Sequence, residues 1–398
     1  VNLLGTSVHS QSGARALRDL RYPSGLDIKT IWFDEESSAN DQIAEPWTEF
    51  LAKSPEASCY SSPAYISFAA RQNGIGCIVC AEKDGAPYFA IPVHPKPLQG
   101  WTTGYSGVLF PDADNERQLK KRLDAFQQFL SANPRISIEI LQSAQIRGWR
   151  DQRRRNQIFS TMVGIKGIDT TSVFTRIIDF EETFIPEGDG LDLQQEPDWL
   201  TKFLQIIDPQ LRNQIRRSSR DGVSVKSFNL SSTEEREEYL HHFIPLHEES
   251  WKRTGMTPHT SDYLHALSIA ISSGGASDIG IIASRDGCTL AAVNVHVFGE
   301  QSLYWSGCSS TDGMKLNANP LALLAGIIEA RRAGASSFEL GRFNVRERSS
   351  KELAITKYKS QFGGTLYPIF VGKRLAPIHQ VTNRTRAVLE SFSSLGGQ

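Results

Sequence analysis

Two stretches of the chain carry one pattern of apolar and polar positions. In CIVCAEKDGAPYFAIPVH (77–94), two β-branched or aromatic runs flank an Asp-Gly pair, and the same layout returns in IGIIASRDGCTLAAVNVH (279–296). Asp84-Gly85 falls on Asp286-Gly287, and Ala81, Ala90, Val93 and His94 fall on Ala283, Ala292, Val295 and His296. Asp-Gly between two such runs predicts a tight hairpin in each copy. Further on, Ser106-Gly107 matches Ser306-Gly307, and ISIEI (136–140) matches SSFEL (336–340). Each identity alone is weak, but their shared order points to internal duplication.

Each copy then predicts a third strand (103–110 and 301–308), a helix (near 115–132 and 318–334) and a further strand (135–141 and 336–341). Pro320 near the start of the second helix and Gly334 past its end are the expected punctuation. The fold class is therefore α/β (α+β), with two tandem domains, each a mixed, mainly antiparallel sheet flanked by helices. Between the copies, 181–200 is acidic and rich in turn residues, which places a boundary near 190. DPQLRNQIRRSSRDG (208–222) reads as a helix leading into the strand VSVKSF. A longer helix follows, opened by capping-box spacing from Ser232 to Glu235. The expected organisation is an N-terminal arm (1–27), a first domain (28–190), a second domain carrying the site (191–372) and a C-terminal helix (373–398).

Composition narrows the function classes. A chain of 398 residues with a net charge of −1 is not a general nucleic-acid coat. No apolar run approaches the roughly 20 residues that span a bilayer, so any membrane contact would be peripheral. The opening residues lack the layout of a secretory signal, and five cysteines fit a reducing compartment better than a disulfide framework. The expected location is the cytoplasm. Cys77 and Cys80 form a lone C-x-x-C inside a strand, where odd spacing sends them to opposite faces, and no metal site is expected.

Candidate chemistry gathers in the second copy. Uninterrupted alternation puts Asn294 and His296 on one face of their strand, and Tyr304 and Ser306 on one face of the next, with Leu303 and Trp305 opposite. Such a polar face is either solvated or the floor of a substrate groove. Arg212, Arg216 and Arg220 share one helix face, which is either solvated or a contact for phosphate. A second basic cluster, RGWRDQRRRNQ (147–157), reads as a surface loop. In ITKYKSQFGG, residues Ile355, Tyr358 and Phe362 form an apolar helical face that stops at Gly363-Gly364. Lys359 flanks that face while Lys357 points to solvent. Spacing leaves two readings of Lys359: a snorkelling helix-end lysine, or an ammonium held against packed structure to meet negative charge.

The order RNQIRRSSRDGVSV, a long helix ending in Trp, GIIASRDGCTLAAVNVHVFGEQSLYWSG, NANPLALLAGIIEARRAGASSFELG and KYKSQFGG resembles the FemAB-like branch of the GNAT acyltransferases. That branch includes peptidoglycan interpeptide-bridge aminoacyltransferases and N-acyltransferases of envelope and polysaccharide clusters. The resemblance covers residues from about 45 to 372 and implies two tandem GNAT domains. It implies a site on the aromatic-Lys-x-x-Phe-Gly element, Tyr358, Lys359 and Phe362, with Lys359 stabilising the oxyanion or leaving group. Tyr304 is implied as a pocket residue; from the polar-face reading, Tyr304 and His296 are expected as hydrogen-bond or proton-transfer partners. Arg212, Arg216, Asn294, Trp305, Glu339 and Arg342 complete the expected substrate contacts, although Phe338-Glu339-Leu340-Gly341-Arg342 departs from the family's Asp before Gly-Gly.

The pyrophosphate loop of acetyl-CoA-using GNAT enzymes is missing from GCSSTDGMKLNANP. The co-substrate implied is an acyl-CoA, an acyl carrier protein or an aminoacyl-tRNA, with no bound cofactor, and the acceptor is an amine on an envelope precursor or polysaccharide-related molecule. A duplicated scaffold without chemistry, binding a saccharide or protein, is the alternative.

Overall fold

The computed structural model describes residues 25–33, 41–73, 76–84, 86–96, 100–103, 107–112, 115–134, 136–142, 152–165, 167–182, 185, 198–343 and 350–374. Most of the expected arm, the middle of the acidic stretch, Arg147, Trp149 and Arg150, and the C-terminal helix beyond 374 lie outside these residues. The chain divides into two compact units, residues 1–172 with 369–398, and residues 173–368.

The first unit contains β1 (Asp27–Phe33), α1 (Asp41–Ala52), α2 (Pro63–Asn73), β2 (Gly76–Lys83), β3 (Ala86–Lys96), β4 (Gly100–Thr102), α3 (Glu116–Ala132), β5 (Ile138–Gln142) and α4 (Gln152–Val163). Strands β1 to β4 pair antiparallel in sequence order, β4 pairs parallel with β5, and residues 370–374 pair antiparallel with β5. The third ladder strand is Gly100–Thr102, just before the expected 103–110, and the described residues of 103–110 show an isolated bridge from Leu109 to Ala90. Asn115 caps α3 by accepting from the Gln118 N–H at 3.1 Å. The cluster expected as a surface loop supplies an internal ion pair instead. Arg154 on α4 is buried, and its guanidinium forks onto Glu56 at 2.7 and 3.1 Å.

The second unit runs through β6 (Asp169–Asp179), α5 (Asp198–Ile206), α6 (Pro209–Arg220), β7 (Ser224–Asn229), α7 (Thr233–Arg253), α8 (Ser261–Ser273), β8 (Ser277–Arg285), β9 (Cys288–Phe298), β10 (Gln301–Ser309), α9 (Thr311–Lys315), α10 (Ala318–Arg332), β11 (Ser337–Phe343), α11 (Ser350–Ser360) and β12 (Thr365–Arg374). Its sheet order is β7-β8-β9-β10-β11-β6, antiparallel except for the β10–β11 pair. On one face Val293 and Val295 meet Leu323, Leu324 and Ile327 of the almost wholly apolar α10. On the other, Tyr239, Phe243 and Leu264 from α7 and α8 pack on Ile282 and Ala292.

The duplication is visible in backbone detail. Asp84 and Asp286 both adopt positive φ, 53° and 52°, at the hairpin tips. Each hairpin carries a bulge at the same aligned step, after Ala81 and after Ala283. Cys77 is buried and Cys80 half-buried, and burial pushes both thiols up, so they are inert side chains of a strand.

Candidate active site

The site grows out of a ladder that stops. Strands β10 and β11 pair in parallel through Gln301–Leu303 and Ser337–Glu339, yet β10 runs on to Ser309 and β11 to Phe343. Both strands carry a bulge where the pairing ends, β10 between Tyr304 and Ser306 and β11 between Glu339 and Arg342. Bulges bend and twist the strand that holds them, so the two strands part. Gly341 makes the second bulge with φ +75°, and its carbonyl accepts from the Thr175 hydroxyl of β6 at 3.0 Å. Residues 303–307 are only half-buried although both ends of β10 are buried, as an open inner strand edge requires.

Lys359 fills the opening. Its Nζ lies 5.6 Å from the Tyr304 ring centroid and 5.9 Å from that of Phe343, within the range of attraction to an aromatic face. A Cβ on Gly341 would stand 3.2 Å from Nζ, so glycine is what lets the ammonium approach the bulge. Burial pulls the Lys359 ammonium down from its ordinary 10.5 to about 8, opposed by the buried Glu339 carboxylate. The result is a cation at neutral pH, poorly solvated, beside an opening. Such a group meets developing negative charge more strongly than one in water.

The neighbouring positions hold this lysine in place. Tyr358 packs edge-on against the buried Phe362, with centroids 5.6 Å apart. Gly363 and Gly364, with φ of 80° and 77°, end α11 as expected. Asn319 Nδ2 donates to the Tyr358 hydroxyl at 2.9 Å. The α11 end is tied to α6 by Asp208 N–H donating to the Gln361 carbonyl at 2.9 Å. Lys357 is exposed, and so is Ile355, which the helical spacing had placed on the buried face. Among the described side chains of α11, residues 353–355 are exposed and the packing shown is that of the last turn.

Of the expected site residues, Lys359, Tyr304, Tyr358, Phe362 and Glu339 come together, while Arg342 is exposed beyond the bulge. His296, Asn294 and Trp305 do not join them. Tyr304 stands opposite Val295, on the α10 face, whereas His296 stands opposite Leu303, on the α7–α8 face. There His296 stacks on Trp305 at 5.6 Å, with its Nε2 3.6 Å from Asp278. Asp278 also accepts from Ser268 Oγ and Asn294 Nδ2, each at 2.6 Å. Burial holds this histidine far below its ordinary titration range, so it is neutral at physiological pH. The expectation of one polar face fails because the bulge at Trp305 breaks the period-2 alternation on which it rests.

An open groove of about 570 Å³ between α6 and the start of α10 is lined by Pro209, Gln210, Asn213, Gln214, Arg217 and Asn317. The Asn317 side chain makes no cap bond to α10, leaving that helix start open to the groove. The arginine that enters it is Arg217, loosely paired with Asp221 at 3.5 Å, and not the expected pair. Arg212 is turned toward the Leu204 carbonyl at 3.3 Å, and Arg216 is half-buried on α6. Sequence reasoning also missed Asn319, Gly341 and Phe343. A glycine inside the expected strand, two residues after Glu339, was the available signal for Gly341.

Residues 209–360 match the model of the acetyltransferase (GNAT) domain family. This segment is a GNAT-superfamily acyltransferase domain. It covers α6 to α11, so the β10–β11 opening and Lys359 lie inside this acyltransferase domain. No curated protein matches the chain in sequence. Among solved structures, FemX matches with a TM-score of 0.60 at 13% identity, over 85% of this chain and 98% of that one. The C-terminal domain of a putative lysylphosphatidylglycerol synthetase from Agrobacterium fabrum matches with a TM-score of 0.53 at 14% identity, over 88% and 98%. Both likenesses are of fold. Among the described residues, no helix of the acyltransferase is long and apolar enough to cross a membrane.

Proposed function

We propose that the acyltransferase moves an acyl or aminoacyl group from an activated ester or thioester to an amine of a cell-envelope or polysaccharide-related acceptor. The carrying observation is the half-buried Lys359 ammonium, held over the Tyr304 and Phe343 rings where the β10–β11 ladder ends. In this reading the acceptor amine attacks the donor carbonyl, a C–N bond forms, and the carbonyl oxygen gains a full negative charge. Lys359 stabilises that oxyanion. As it collapses, the C–O or C–S bond to the donor breaks, and the proton lost by the amine ends on the leaving group. Tyr304 and Tyr358 are the nearby hydroxyls for hydrogen bonding along that route.

The donor occupies the groove between α6 and Asn317. Four carboxamides and Arg217 suit a ligand that carries both phosphate and hydrogen-bonding heterocycles, as coenzyme A and tRNA do. The motif resemblance to FemAB-like enzymes supports an envelope acceptor, and a fold shared with a putative lysylphosphatidylglycerol synthetase domain agrees with an aminoacyl donor.

The test is a donor panel of acyl-CoAs, acyl carrier protein thioesters and charged tRNAs, offered with amine acceptors and read by mass spectrometry. At least one donor is expected to be consumed with amide formation. Lys359→Met is expected to keep the fold and lower turnover by about 10²-fold. Near-wild-type turnover in that variant removes Lys359 from the mechanism, and silence across the whole panel removes the proposed activity.

A further inference from the structure

The β11 bulge is faced by an arginine. On β6, Thr175 pairs with Arg342 and Ile177 with Glu339, so Arg176 alone stands across from Leu340 and Gly341. Two contacts of its guanidinium bear on Lys359. Nη1 donates to the Gly364 carbonyl at 2.8 Å, with the Gly363 carbonyl 3.5 Å away. Cζ lies 5.8 Å from the centroid of the Phe343 ring, and Lys359 Nζ lies 5.9 Å from the same centroid.

The first contact reaches Lys359 through the backbone. The turn that ends α11 closes with the Phe362 N–H donating to the Lys359 carbonyl and the Gly363 N–H to the Ser360 carbonyl, both at 3.2 Å. A Cβ on Gly364 would stand 2.7 Å from the Ile177 carbonyl, so this turn lies directly on β6. The second contact reaches Lys359 through the aromatic face that its ammonium rests on. Stability does not account for the arginine. Its Nε is buried with no hydrogen-bond partner among the described residues, and an unmade bond on a buried charged group costs free energy. Methionine would fill the space without that cost. We propose that Arg176 is a positioning residue for Lys359: it clamps the Gly363-Gly364 turn onto β6 and braces Phe343, and so holds the Lys359 ammonium inside the β10–β11 opening. The kinetic consequence rests on the transferase reading, and the geometric one stands without it.

The experiment uses the full chain with Arg176→Met and Arg176→Lys, and thermal melts accompany each variant. Methionine removes both the donor and the charge. Lysine keeps the charge but ends one bond short of Nη1, so it gives up the bond to Gly364. Lys359 ionisation is followed by NMR of ¹³C-methylated lysines, with Lys359→Met assigning the resonance. A freed turn lets the ammonium move toward water. Its midpoint is therefore expected to rise from about 8 by about one pH unit or more in Arg176→Met. Loss of a neighbouring like charge would raise it too, and Arg176→Lys separates the two causes. There a rise of about half a pH unit or more is expected although the charge is kept. With the donor that wild type uses, Arg176→Met is expected to lower kcat by about 10-fold or more with KM little changed. In a Lys359→Met background the same change is expected to cost less than about 2-fold, because a residue acting through Lys359 has nothing left to position.

An unmoved Lys359 midpoint in Arg176→Lys overturns the proposal, and so do equal kcat losses with and without Lys359. Should methionine unfold the chain, Arg176→Lys carries both measurements. A wild-type protein that uses no donor disproves the transferase reading, and the midpoint of Arg176→Lys then decides the positioning role by itself.

Discussion

Lys359 is a base whose folded state resists its charge. Burial lowers its folded pKa to about 8, while the unfolded chain keeps the ordinary 10.5. Below pH 8 both states hold the proton, and the folded state bears the full cost of an ill-solvated cation. Between about pH 8 and 10.5 the unfolded state binds more protons, so stability contributed at this position rises with pH across that window. Lys359→Met is therefore expected to be more stable than wild type at pH 7, with a difference that shrinks as pH rises to 10.5. Urea midpoints of the two proteins at pH 7, 8, 9 and 10.5 measure it. A constant difference would mean that Lys359 is solvated and unstrained. A group that lowers stability where it raises catalytic potential is common at functional sites. Spacing in ITKYKSQF made Lys359 and Lys357 distinguishable, since one flanks the packed turn and the other faces water. The aromatic faces under its ammonium come from residues about 16 and 55 positions away in sequence, so no local pattern reports them.

At the level of elements, the decisive features are two bulges, and bulges are poorly legible in sequence. Binary alternation locates β9 and β10 and orients most of their side chains, but it assumes one residue per step. Trp305 is the extra residue in β10, and it moves Tyr304 to the face opposite His296. The capping signals read more directly: Ser232 accepts from the Glu235 N–H at 3.4 Å, as its spacing predicts. Glycines record the tight packing around the opening. A Cβ on Gly307 would fall 2.0 Å from the Tyr304 hydroxyl, although the backbone there suits any residue. Gly307→Ala is thus expected to push the Tyr304 ring off its seat while costing only about 1 kcal/mol of stability. Turnover should fall about 10-fold or more, the hallmark of misplaced reacting groups. Steady-state kinetics beside a denaturation curve would show the split. Parallel loss of both quantities would make Gly307 a packing residue and nothing more.

For the molecule as a whole, the repeat was legible because duplicated hairpins keep the same turn and the same bulge, at Asp84 and Asp286 and after Ala81 and Ala283. Strand partners were not, since pairing between distant segments leaves no local trace. An acidic, turn-rich stretch places a boundary near 190, yet residues 174–179 of β6 pair with β11 of the second unit. Residues 370–374, at the far end of β12, pair with β5 of the first. The assignment has an experimental consequence. A fragment of residues 191–372 lacks β6 and leaves Ser337–Phe343 as an open edge, without the Thr175 hydroxyl that holds the Gly341 carbonyl. It also lacks Ile178, Phe180 and Ile185 from the core around α10. Unpaired apolar edges aggregate, and lost core side chains cost about 2–5 kcal/mol each. That fragment is expected to be insoluble or to unfold without a cooperative transition. A fragment of residues 173–368 keeps the β6–β11 ladder and the buried face of α10. If it is the better folded of the two by circular dichroism and thermal melting, β6 belongs to the acyltransferase domain energetically as well as by pairing. If 191–372 folds as cooperatively, the bulge at Gly341 is set by β10 and β11 without help from β6.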